Sequence, residues 1–109
     1  MSGSVDELTE FALHHLVARS DGLRRLPRDL VAFRPDCAPL ELVLALSLAA
    51  SSLESSFSGE ADQAAAAEAW RLAALLAVDL HMMQHLNLRH VCAADYLAYW
   101  RGHDPYFLG

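Results

Sequence analysis

The stretch from Glu60 to Leu86 constrains this chain most: read as one long helix, it is apolar on most of its circumference. Leu72, Leu76, Leu80 and Met83 recur at helical spacing and make one stripe. Ala67, Trp70, Ala74, Ala77 and Leu88 make a second, onto which His81 and His85 also fall. Glu68, Arg71 and Asp79 leave only a narrow polar strip between the two. A helix of this kind is central in its own fold or clamped between two surfaces. Its alanines permit close helix approach but fill little volume, so Trp70 is expected to occupy a gap left by smaller neighbours.

The remaining segments read as helices that surround this one. Ser4 and Glu7 have the spacing of a capping box, and Val5, Leu8, Phe11, Ala12 and Leu16 follow a 3.6-residue period. They predict a first helix over about residues 4–20, with Gly22 as its stop. Residues 22–38 are interrupted by Pro27 and Pro35 and lead into Pro39. Leu26, Leu30, Val31 and Phe33 anchor them, which predicts a packed connector holding no more than a short helical turn. A second long helix is expected over 39–57. Leu42, Leu46, Ala49, Leu53 and Phe57 form its apolar stripe, Ser47, Ser51, Ser55 and Ser58 its polar one, and Gly59 ends it. Asn87 suits a break after the third helix (60–86), and a shorter fourth helix is expected over 89–101, with Gly102 just past its end. The apolar tail, 103–109, is expected to dock on the domain or on a partner. No alternating strand pattern or Asn-Gly hairpin signal occurs. The expected fold is therefore all-α: one domain, built as a small bundle of three long helices plus a shorter C-terminal helix, with a Pro-interrupted connector after the first.

Composition narrows the partners. Fourteen carboxylates face eight basic side chains, all of them Arg, for a net charge of −6. So few cations, four of them gathered at Arg24, Arg25, Arg28 and Arg34, leave little to follow a phosphate backbone, and no nucleic-acid partner is expected. The apolar fraction of 54% exceeds the roughly 45–50% of ordinary soluble domains, which points to a homo-oligomer. No apolar run reaches membrane-spanning length without a charge. The first residues lack the order of a secretory signal, and Cys37 and Cys92 form no CxxC pair, so free thiols and a cytoplasmic location are expected.

The sharpest chemical lead is His81-Met82-Met83-Gln84-His85, two imidazoles one helical turn apart. Such a pair can present two nitrogens to zinc or another transition metal, given further ligands from His14, His15 or His90, or from Cys92 and Asp95. Met82 stands where a zincin would carry its glutamate, and no Glu-x-x-His pair is present. The preferred reading is that these histidines lie partly buried against another helix, with no cofactor.

Nothing here builds an enzyme. There is no GxSxG, no glycine-rich nucleotide loop, and His90 and Cys92 on one helix would point in different directions. Aromatic residues with polar handles favour interfaces, and Tyr96, Tyr99, Trp100, Tyr106, Phe107 and Leu108 gather toward the C-terminus. With Trp70 and Ala74 they form the expected contact surface. The sequence thus reads as a non-enzymatic protein–protein interaction module, an adaptor, regulator or neutralising partner of another protein, acting as a homodimer. The alternatives are a metal-binding bundle using the His-x3-His pair and a small transcriptional regulator.

Overall fold

The computed structural model describes residues 3–18, 23–56 and 59–108. These form an all-α bundle of five helices. They are α1 (Gly3–Ala18), α2 (Leu26–Phe33, entered through a 3-10 turn at Leu23–Arg25), α3 (Pro39–Ser56), α4 (Glu60–His85) and α5 (Asp95–Gly102). A second 3-10 turn, Pro105–Leu108, follows. The expected count of three long helices and one shorter is therefore corrected to five. The connector conceals α2 because Pro27 sits in its first turn, where an amide needs no intrahelical acceptor. The helix then runs free of proline until Arg34, whose backbone the following Pro35 keeps out of helical conformation. Leu26, Pro27, Leu30 and Val31 are buried along it.

The most extensive helix pairing is between α3 and α4. Helices so close in sequence and packed along their length run antiparallel. Leu42, Ala45, Leu46, Ala49, Ala50 and Leu53 of α3 are buried, as are Ala65, Ala66, Ala69, Leu72, Ala73, Leu76 and Met83 of α4. Leu8, Ala12 and Leu16 of α1, one helical turn apart, close the same core from α3's side. The expected end of the first helix near residue 20, its stop at Gly22, and Phe57 and Ser58 lie outside the described residues.

Side chains at the helix ends explain the remaining boundaries. The expected capping box does not form: α1 already begins at Gly3, Ser4 Oγ donates to Glu41 Oε1 (3.5 Å), and Glu7 pairs with Arg34. The reaching glutamate belongs to α3 instead, where the Ala38 amide donates to Glu41 Oε1 at 3.0 Å. Asn87 ends α4 with φ 63°, in the left-handed region that Asn tolerates. The Leu88 amide then reaches Met83 O (2.8 Å) and the Asn87 amide Gln84 O (3.1 Å), a Schellman closure.

The last helix starts at Asp95, not Arg89, and includes Gly102. Asp95 accepts from the Val91 and Cys92 amides (2.8 and 3.0 Å) and from Arg89 Nε (3.1 Å), which holds the segment before it as a loop. The Ala93 and Ala94 amides donate to Cys37 O and Pro35 O, tying this loop to the one between α2 and α3. Cys37 and Cys92 are free thiols, Cys37 buried.

The two faces of α3 generate a direct contrast. Leu46→Ala removes a fully buried side chain and is expected to cost about 2–5 kcal/mol. Leu44→Ala, on the outward face, is expected to change stability by less than about 0.5 kcal/mol. Urea unfolding of both variants, followed by circular dichroism, measures the difference.

Candidate functional site

Two apolar faces stay uncovered. On α3, Leu40, Leu44 and Leu48 recur every four residues and are 53%, 45% and 47% exposed. They interrupt the side that the sequence marked as a serine stripe. Leu48 meets Leu13 of α1 in a shallow groove of about 330 Å³ whose other walls are Asp6, Glu7, Thr9 and Glu10. On α4 the outward face runs through Ala64, Ala67, Trp70, Ala74, Ala77, Val78, His81 and His85, with Trp70 39% and Val78 56% exposed. Arg71 is the one formally charged residue exposed on that face between Ala64 and His85. Trp70 therefore fills no internal gap, and among the described residues α4 is covered on one side only.

The histidines do not converge. His81 and His85 are exposed and parallel, their ring centroids 6.2 Å apart. His14 lies on α1 in a shallow surface groove with Leu13, Val17 and Ala18. His15 stacks on Phe11 at 4.4 Å, its Nδ1 3.0 Å from Phe11 O. His90 Nδ1 is 2.8 Å from Leu88 O. Among the described residues no three His, Cys, Asp or Glu side chains are grouped to hold a metal ion.

The C-terminal aromatic residues divide. Tyr96, Tyr99, Trp100 and Phe107 are buried within the chain and so are withdrawn from its surface, while Tyr106 stays exposed and Leu108 is half-buried. Tyr96 stacks on Trp100 (5.3 Å between centroids), and Phe107 meets the edge of Trp100 at 5.2 Å. The rings thus bind the tail to the core. Tyr96 Oη donates to Leu76 O at 3.2 Å, and Trp100 Nε1 donates to Asp79 Oδ2 at 3.0 Å.

Asp79 is the residue that sequence reasoning misplaced. Assigned to a polar strip, it is 4% exposed. The signal was present: at helical spacing, Leu72, Leu76, Asp79 and Met83 lie on one stripe, and an acid among core residues is the anomaly. Burial pushes its carboxyl up to about 6, and the nearby Asp104 adds to the rise, against the Trp100 hydrogen bond. Burial also raises the Tyr96 and Tyr99 hydroxyls, with the Asp79 charge contributing to both. Burial opposes the charge on Asp95 as well, but the Cys92 and Val91 amides and Arg89 outweigh it and hold that carboxyl below its usual range. Burial, with Glu41 and Asp36 nearby, pushes the Cys37 thiol up to about 11, which leaves it protonated and unreactive at neutral pH.

The chain matches no protein-family model, no curated protein and no solved structure. Among the described residues no helix is long and apolar enough to cross a membrane.

The raised Asp79 carboxyl sets a pH dependence of known sign. From about pH 4 to pH 6 the folded chain holds a proton that the unfolded chain has lost, so this group's stability contribution falls as pH rises through that window. The ceiling is about 3 kcal/mol. Asp79→Asn keeps an acceptor for Trp100 without the charge. It is expected to raise the melting temperature at pH 7.5 and to reduce the difference between melting temperatures at pH 5 and pH 7.5, measured by calorimetry against the parent chain.

Proposed function

We propose that this chain is a non-enzymatic protein-interaction module that pairs with a second copy through the outward face of α4. The observation carrying the reading is the uncovered apolar stripe of Ala67, Trp70, Ala74, Ala77 and Val78 on the longest helix. Water around such a stripe is released when a second apolar surface covers it. The small side chains let another helix approach closely, and Trp70 supplies the large contact.

Charge selects the second copy as the occupant. Each chain carries −6, so two copies repel wherever carboxylates meet. The α4 face carries none between Ala64 and His85. Antiparallel pairing about a two-fold axis at Ala74 sets Trp70 of each copy against Val78 of the other, a large ring over a smaller side chain. The Leu40–Leu44–Leu48 stripe is a poorer site for self-pairing, because Asp6, Glu7 and Glu10 stand at its α1 margin. Leucines bordered by acids suit the apolar face and the basic flank of an amphipathic helix from another protein. The module thus reads as a dimeric adaptor or regulator. Its two free thiols accord with a reducing cytoplasm.

Sedimentation equilibrium tests the pairing. The parent chain is expected to run as a dimer at tens of micromolar. Ala74→Glu, at an exposed position, is expected to run as a monomer with unchanged helicity by circular dichroism. A parent chain that stays monomeric at millimolar concentration would overturn the reading.

A further inference from the structure

A pocket of about 240 Å³ lies between α4 and the C-terminal turn, lined by Arg71, Leu75, Asp79, Asp104, Tyr106 and Phe107. Its floor is unusual. Asp79 is more than nine-tenths buried, and among the described residues Trp100 is its one hydrogen-bond donor, bound to Oδ2. The other carboxylate oxygen is left to the pocket that Asp79 lines. Asp104, across the pocket, accepts only the Tyr106 amide among the described residues, at 3.3 Å.

The one cation in the wall is already engaged. Arg71 donates to both carboxylate oxygens of Glu68 (3.1 and 2.7 Å) and to the Tyr106 hydroxyl (3.1 Å). Among the described residues no Arg or His forms an ion pair with Asp79 or Asp104. Two carboxylates therefore share a small space without a matching positive charge, and one of them has lost most of its water. A charge so placed is stabilised by a cation that brings its own hydrogen-bond donors.

We propose that this pocket binds a small organic cation, a primary ammonium on a short aliphatic chain, with the ammonium between Asp79 and Asp104 and the chain against Leu75 and Phe107. The ammonium offers three N–H donors, enough for the free Asp79 oxygen and for Asp104. The apolar walls take the alkyl part, as in most small-molecule sites. A metal ion fits less well, because no three ligating side chains are grouped here among the described residues. An anion would meet the two acids. The site borders the outward face of α4 at Arg71, but its acids, Asp79 and Asp104, lie off that face.

The groups facing Asp79 are Trp100, Tyr96 and Tyr99 from α5, Asp104 and Tyr106 from the tail, and Arg71 from its own helix. With its carboxyl raised to about 6, Asp79 takes up a proton between pH 7.5 and pH 5, and acidification should expel the ligand.

The test is a titration of the full chain with n-butylammonium at pH 7.5, followed by the indole N–H resonances of Trp100 and Trp70. The expected result is a saturable shift of the Trp100 signal, with Trp70 still, and no saturable shift with n-butanol or butyrate. Affinity is expected to fall at least tenfold at pH 5 and in Asp79→Asn, and severalfold in Asp104→Asn, which keeps the test alive should the first variant misfold. An equal response to n-butanol, which would mean an apolar cavity only, overturns the proposal. So does full affinity in the folded Asp79→Asn chain.

Discussion

The bundle rests on the packing of α3 against α4. Leucines from both helices fill the space between them, and the alanines at Ala45, Ala49, Ala50, Ala65, Ala66, Ala69 and Ala73 let the two backbones approach. A seam so rich in alanine needs bulk from elsewhere, since alanine buries little area. The other elements supply it: Leu8 and Leu16 from α1, Leu26 and Leu30 from α2, Tyr96 and Trp100 from α5. Their side chains, more than their own helical propensity, explain why the short helices α2 and α5 persist at eight residues each, a length at which an isolated helix would melt.

Much of this was legible because periodicity reports burial directly. The stripes through Leu8, Ala12 and Leu16, through Leu42, Leu46, Ala49 and Leu53, and through Leu72, Leu76 and Met83 are the buried faces of α1, α3 and α4. Asn87 marked a true helix end because few residues accept its backbone angle. Local pattern failed where distant partners decide the outcome. The start of α5 is set by Asp95 capturing two amides three and four residues upstream, a choice that helical spacing in 89–101 does not encode. Proline density hid α2, since a proline in the first turn and one after the last leave a helix intact.

The candidate site was less legible than the fold, for the same reason. Aromatic residues at Tyr96, Tyr99 and Trp100 are equally compatible with a surface and with a core; only the closure of the tail over Trp100 through Phe107 settles their place. The histidine pair has the spacing of two ligands, but a ligand set needs elements that converge, and His14 lies in a surface groove of α1 while His15 and His90 sit against backbone carbonyls close by in sequence. The exposed leucines of α3 escaped notice because serines at 47, 51 and 55 share that side of the helix.

Asp79 shows why an anomaly in a stripe outweighs a motif. A leucine at this position would extend the buried face from Leu76 to Met83 at no electrostatic cost. If the side chain served only to receive the Trp100 N–H, a neutral acceptor would do so without desolvating a charge. The fold instead keeps a carboxylate there, sets a second one at Asp104 nearby, and commits Arg71 to Glu68 and Tyr106 rather than to either acid. The first of these choices works against stability at neutral pH, and together they leave negative charge at one pocket. Packing alone does not account for that combination, whereas a cationic ligand accounts for all three parts of it.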